Sequence, residues 1–199
     1  MNLNEIEQEI INCNLCNAMV EKNTIAKTIS IGSNKDILII GEAPANNGWR
    51  KSGKAFYDIK GNLVPSGIIL QKLLDILSLK IEDISFTETI KCFPKDRKYI
   101  KKCGNNCKEF LLNQIAIIKP KIILTLGDSA TKSLLSIKYK KYSDIVGKVY
   151  FIDDMIIIPI YHTSPISPKS YRGNEEIFYS LKKYLEEKKS YEKVKKYSK

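Results

Sequence analysis

With 199 residues, 43% of them hydrophobic, the chain is long enough to bury one α/β core and too apolar to be intrinsically disordered. No apolar run approaches the roughly 20 residues of a membrane helix, and the opening MNLNEIEQEI is too acidic and polar for a secretory signal, so a cytoplasmic protein is expected. A formal net charge of +11 points to an anionic partner, nucleic acid first, although a lysine-rich composition and the basic end EEKKSYEKVKKYSK carry much of it.

Residues 4–12 read as a short helix. Cys13 and Cys16 follow as CNLC, a spacing that by itself suits zinc, an iron–sulfur cluster or a redox dithiol. Five cysteines in a cytoplasmic chain argue for metal or catalysis over disulfides. Ile37 to Ile40 is a short apolar run of the kind a buried parallel strand shows, and it breaks at Gly41-Glu42-Ala43-Pro44. Phe56 stands further on in a polar loop, between Gly53 and Tyr57. Pro65-Ser66 opens a helix running to about Leu79, with Leu70, Leu73, Leu74 and Leu77 on its core face. ISFTETI, 84–90, is the second strand, and Lys91-Cys92-Phe93-Pro94 follows at its end. KDRKYIKKCGNN reads as a basic loop, after which Cys107 opens a helix that Lys119-Pro120 ends. KIILTLG, 121–127, is the third strand, and Asp128 is a fair N-cap for the helix DSATKSLL. VYFIDD and MIIIPIYH read as a hairpin whose second arm is the fourth strand, ending at His162, the only histidine in the chain. A loop rich in proline and serine, HTSPISPKSYRG, leads to a final amphipathic helix, NEEIFYSLKKYLEEKK.

Strands alternating with helices predict one domain over residues 1–199, with the Cys13–Cys16 pair at its start and a basic tail at 186–199. The expected architecture is α/β in three layers, α/β/α, around a central, mostly parallel four-stranded sheet. Glu42, Glu88, Cys92 and His162 all fall at strand ends, the edge where open α/β sheets bind ligands. A strand-end carboxylate with a loop aromatic such as Phe56 suits a flat polar ligand.

Taken together, several segments match a known pattern. Gly41-Glu42-Ala43-Pro44 is similar to a GEAPG motif with Ala45 in place of its last glycine, and GKAFYDIKGNL to GRPFVGxAGxxL. KCFP is similar to KCRP, CKEFLLNQIAIIKPKIILTLGDSA to a C-x-P-x-L helix followed by a P-K-x-I-x-x-LG-x-x-A strand, and YHTSP stands at an HP motif. From about Cys13 to Leu185 the chain resembles the iron–sulfur uracil-DNA glycosylases, family 4 of the uracil-DNA glycosylase superfamily. The resemblance implies a monofunctional DNA-repair enzyme, acting as a monomer, that flips a damaged base out of DNA, hydrolyses its N-glycosidic bond and leaves an abasic site. It implies a 4Fe–4S cluster on Cys13, Cys16, Cys92 and Cys107, the last favoured because CKEFL carries the helix match, with Cys103 as the alternative fourth ligand; a structural zinc on the thiolates is the alternative to the cluster. It implies that Glu42 orients or activates the attacking water, that His162 faces uracil O2, that Phe56 stacks on the base, and that Gly41 and Ala43 belong to the loop holding it.

Besides Ala45, two places depart from the family: the HTSP loop lacks the proline that commonly follows the histidine, and the other is Glu88. Glu88 falls where the family carries an asparagine that donates to uracil O4 and accepts from N3–H. An ionised glutamate only accepts. Either burial protonates Glu88, or the preferred base presents donors on that edge, or Glu88 points away. This departure keeps open a second function, an iron–sulfur nucleic-acid-binding relative with altered base specificity or no glycosylase activity. A third, electron transfer, needs no pocket holding Glu42, Phe56 and His162. Arg50, Lys51, Lys54, Arg97, Lys98, Lys101 and Lys102 are the loop cations expected near DNA.

Overall fold

Ile37, Leu38, Ile39 and Ile40 are all fully buried, which consecutive strand residues achieve only when both faces of their sheet are covered. The computed structural model describes residues 2–21, 28–45 and 48–197, with side chains described as far as residue 188. Along it run α1 (Leu3–Asn12), β1 (Val20–Glu21), β2 (Ile29–Ser30), β3 (Asn34–Gly41), α2 (Trp49–Ser52) and α3 (Pro65–Ile76). Then come β4 (Ile84–Glu88), β5 (Phe93–Pro94), α4 (Ile100–Ile118), β6 (Ile122–Leu126), α5 (Asp128–Leu134), β7 (Tyr150–Ile152), β8 (Met155–Ile160) and α6 (Glu175–Tyr197). Among the described residues no helix is long and apolar enough to cross a membrane.

The sheet has the order β2-β4-β3-β6-β8-β7. Its inner four strands, β4-β3-β6-β8, are parallel and are the four expected ones. Among the described residues the sheet has six strands rather than the expected four, because β2 and β7 close the two edges antiparallel. The β7–β8 hairpin was foreseen; β2, two residues long, is too short to show an alternating pattern. One face packs Ile37, Ile39, Phe86 and Leu124 against Leu70, Leu73 and Leu74 of α3 and Phe178 of α6. The other packs Leu38, Ile40 and Ile123 against Leu111 and Ile115 of α4 and Ala130 of α5. Three layers result, as the alternation of strands and helices requires.

A second correction concerns α4, which starts at Ile100 rather than at Cys107. Gly104-Asn105-Asn106 has the composition of a turn. Yet Cys103, Cys107 and Leu111 recur at helical spacing and are all buried, and that burial outweighs a propensity penalty of about 1 kcal/mol for the glycine. The tail at 186–199 begins inside α6; its side chains from 189 onward, and residues 198–199 altogether, lie outside the described residues.

Candidate functional site

Because β4, β3, β6 and β8 are parallel, their carboxyl ends share one edge. A cavity of about 470 Å³ opens there, and its lining includes Glu42, Phe56, Glu88, Arg97, Ser129 and His162. Gly41 and Ala43 also line it, so the six residues to which the resemblance gives a part in catalysis or base binding, Gly41, Glu42, Ala43, Phe56, Glu88 and His162, meet at one place.

Gly41 ends β3, and backbone hydrogen bonds pin the turn beyond it. Thr89 N–H donates to Gly41 O and Ile90 N–H to Glu42 O, both at 2.9 Å. A Cβ on Gly41 would meet Phe86 Cζ at 3.2 Å and Glu88 Cγ at 3.5 Å, so glycine leaves room for the side chains of β4. Glu42 lies just past the edge. Ser129 Oγ donates to its Oε2 at 2.5 Å, and the Arg97 guanidinium reaches its two oxygens at 3.3 and 3.4 Å. Ser129 opens from the first turn of α5, while Arg97 comes from the segment before α4.

Phe56 has φ of 66°, in the left-handed region that a non-glycine residue enters only under constraint. Two contacts supply it. Val64 N–H donates to Phe56 O at 2.9 Å, and Gly67 of α3 lies so close that a Cβ there would stand 2.8 Å from the same oxygen. The ring packs on Phe86, centroids 4.6 Å apart and planes at 60°, and lines the cavity.

His162 follows β8. Its Nδ1 accepts a hydrogen bond from Ser164 N–H at 3.0 Å, so the neutral ring carries its proton on Nε2. The imidazole edge is open to the cavity, but surrounding protein desolvates it and draws its pKa below the usual histidine value, against the opposing charge of Glu42. The group is therefore a neutral donor at pH 7. Glu88, at the end of β4, is 9% exposed, and no described residue hydrogen bonds its carboxyl.

A second and much smaller cavity, of about 10 Å³, is lined by Cys13, Cys16, Cys92 and Cys107, with Ile10, Val20, Ile90 and Phe110 as apolar wall. Asn106 of α4 donates to Cys16 Sγ at 3.3 Å and to Leu15 O at 3.2 Å, fastening the CNLC turn to the helix. The Lys91 backbone N–H bonds the Cys107 sulfur; burial, the largest influence, nevertheless pushes that thiol up to about 11. No three acids, histidines or cysteines among the described residues are grouped as a bound metal ion requires. The donor chemistry does fit a cluster: soft sulfurs, apolar walls and a backbone N–H on sulfur. Cys103 is fully buried in the same apolar cluster without lining that cavity.

Four of the loop cations have partners close at hand: Arg50 with Glu21, Lys54 with Glu82, Arg97 with Glu42 and Lys98 with Asp96. The sequence reading missed Ser129 and Arg97 at Glu42, and it missed a groove of about 510 Å³ that shares Glu42, Asp128 and Ser129 with the first cavity and adds Lys101, Lys108 and Lys132. It also missed Ile166, which is 92% exposed. Ser167 N–H donates to Ser164 O at 3.0 Å, closing a turn with Pro165 and Ile166 at its tip. An isoleucine between two prolines in a polar loop, four residues past His162, was the signal available.

Comparison with known proteins gives a consistent picture. The family described as Uracil DNA glycosylase superfamily matches residues 29–186. The chain is 31% identical to the type-4 uracil-DNA glycosylase of Sulfurisphaera tokodaii, the match covering 80% of this chain and 73% of that one. It is 27% identical to the type-4 enzyme of Archaeoglobus fulgidus, with 82% of each chain covered, and 29% identical to that of Saccharolobus solfataricus, with 94% and 88% covered.

Proposed function

This chain belongs to the uracil DNA glycosylase superfamily, in its type-4 branch, and we propose that it excises uracil from DNA by the residues gathered at the sheet edge. The observation that carries the reading is the meeting of Glu42 and Phe56 with His162, which comes from a distant stretch of the chain, around one cavity.

A base cannot be reached inside the duplex, so the target nucleotide turns out into the pocket at a cost of a few kcal/mol. Stacking on Phe56 offsets part of that cost. As the bond between N1 of uracil and C1′ of the sugar breaks, the electron pair stays with the base and negative charge gathers on O2. The Nε2–H of His162 is the donor aimed at that charge, and its neutral state leaves the lone pair of Nδ1 to hold Ser164 N–H. Positive charge develops meanwhile on the sugar. The Glu42 carboxyl, oriented by Ser129, stabilises it and positions the water whose oxygen bonds to C1′; the proton that this water loses passes to solvent. Ile166 then fills the gap in the stack, as apolar side chains do in kinked or opened duplexes.

Cys13, Cys16, Cys92 and Cys107 would hold a 4Fe–4S cluster. When bound, it supplies folding free energy, tying the N-terminal segment to the turn after β4. The residues of the first cavity carry out base removal.

Oligonucleotides containing uracil, hypoxanthine, xanthine or a mismatch, incubated with the protein and then treated with alkali, test the reading. Strand cleavage at uracil is expected. Replacing His162 with alanine should slow it about a hundred- to a thousand-fold, the usual cost of one lost donor to a developing oxyanion. A wild type that leaves every one of these strands intact overturns the proposal.

A further inference from the structure

Residues of β4 alternate between the two faces of the sheet. Phe86 pairs in register with Ile39 and Glu88 with Gly41, so both point to the face where Phe56 packs. Phe86 fills the space beneath Phe56, and Glu88, two residues nearer the edge, forms part of the cavity floor over the hydrogen of Gly41. It is 9% exposed, and no described residue donates to or accepts from its carboxyl. Among the described residues only Trp49 Nε1 and Thr163 Oγ1 are sealed in protein without a partner; the Glu88 carboxyl instead opens on the cavity, where the edge of a ligand can pair with it.

The charged groups around it do not supply that partner. Glu42, from the loop after β3, repels a second negative charge. Lys91 attracts one, but its Nζ is spent on Thr87 Oγ1 at 2.9 Å, on Gln114 Oε1 at 2.6 Å and on the backbone oxygen of Glu88 itself. Arg97, before α4, is taken by Glu42, and Asp128, at the start of α5, by Lys132. His162, after β8, is neutral for the reasons given above. Burial is the largest influence on Glu88, and together with Glu42 it holds the group well above the usual carboxylate range.

We infer that Glu88 reads the flipped base as a neutral carboxylic acid, its O–H donating to uracil O4 and its carbonyl oxygen accepting from N3–H. The inference rests on the glycosylase reading and extends it to the base edge. A carboxylic acid presents one donor beside one acceptor, the same pair a side-chain amide presents. The matching ligand class is any base edge that sets an N–H beside a C=O, as uracil does. An ionised Glu88 would suit two adjacent donors instead, the edge that guanine offers.

The test compares wild type, Glu88→Gln and Glu88→Ala in single-turnover excision from a single-stranded uracil oligonucleotide across pH. Affinity for the same strand carrying 2′-fluoro-2′-deoxyuridine, which resists cleavage, is measured alongside. Glutamine keeps one donor and one acceptor and cannot ionise. Glu88→Gln is therefore expected to excise within about tenfold of wild type near neutrality, by the pairing argument. Wild type should lose activity and affinity as pH rises through the pKa of Glu88, with a limb that Glu88→Gln lacks. Uracil N3–H ionises at high pH for both proteins, so the difference between the two profiles is the readout. At pH values below the pKa of Glu88, Glu88→Ala should lose about five- to a hundred-fold in rate and in affinity against wild type, as a base edge left unpaired in a buried site does. Circular dichroism confirms that each variant is folded. Identical alkaline limbs for wild type and Glu88→Gln, or full affinity in Glu88→Ala, would show that Glu88 does not read the base. Removal of guanine with uracil spared would show an ionised Glu88 and overturn the inference while leaving the glycosylase standing. A folded wild type inert on every base would defeat both.

Discussion

Replacing Ile166 with alanine separates holding the opened duplex from breaking the bond. The side chain is 92% exposed at the tip of a turn closed by backbone atoms, so its truncation should change folding stability by no more than about 0.5 kcal/mol. If the side chain enters the stack when a base leaves it, nearly its whole apolar surface is buried in the complex. Burying an isoleucine is worth roughly 1.5–3 kcal/mol, and alanine recovers only a small part of that. At about 1.4 kcal/mol per factor of ten, the loss on duplex DNA should be about tenfold to a hundredfold. Single-stranded substrate has no gap to fill, so excision from it should change by less than about threefold, within the spread of surface substitutions. Single-turnover excision of uracil from matched duplex and single strands, with wild type and Ile166→Ala side by side, gives both ratios. Ile166→Leu should retain duplex activity, since volume and hydrophobicity are kept. Equal losses on single and double strands, or none on the duplex, would refute the assignment.

Two further outcomes are expected. Protein purified without oxygen should carry about four irons per chain; alanine at Cys13, Cys16, Cys92 or Cys107 should remove the iron and lower the melting temperature, whereas Cys103→Ala should keep the iron, and a wild type loaded with zinc would overturn the cluster. Affinity for duplex DNA should fall with salt by about 0.9 log units per phosphate contact per log unit of salt, and Lys101→Ala with Lys108→Ala, which removes two cations from the groove beside the pocket, should make that slope shallower by about two such contacts; an unchanged slope would move the DNA path elsewhere.

What could be read from sequence follows from how locally each feature is encoded. The four inner strands were legible because interior parallel strands are covered on both faces and show as unbroken apolar runs, Ile37 to Ile40 above all. The edge at which Glu42, Glu88 and His162 meet followed from the parallel order alone. The two-residue strands β1, β2 and β5 were hidden because two residues have no period. The start of α4 was hidden because glycine and asparagine composition argued against a helix that the burial of Cys103 enforces. Ser129 and Arg97 were hidden for a different reason. They lie 87 and 55 residues from Glu42 in the chain, and nothing local marks either as its partner. Glu88 was legible as a departure, but its lack of a partner is a fact of packing.

The buried lysine beside Glu88 links the lining of the cysteine cavity to the strand end at the first cavity. Lys91 is 2% exposed, and a lone charge at that depth would be ruinous unless hydrogen bonded. Thr87 Oγ1, Gln114 Oε1 and Glu88 O surround its Nζ, and burial draws its pKa down to about 8, which still leaves it charged at pH 7. Gln114 Nε2 donates in turn to Thr28 Oγ1 at 3.1 Å, and the Glu7 carboxylate of α1 accepts from Thr28 N–H at 2.8 Å and from its hydroxyl at 2.7 Å. One chain of polar contacts thus joins α1, the start of β2, the end of β4 and the middle of α4. Such a network is costly to leave half satisfied, so its members hold one arrangement together. The two ends of Lys91 serve the two cavities: its backbone N–H meets the Cys107 sulfur, and its ammonium clamps the backbone oxygen of Glu88. Anything that fastens Cys13, Cys16, Cys92 and Cys107 together therefore also steadies the strand end from which Glu88 enters the base pocket, although none of the four cysteines lines that pocket.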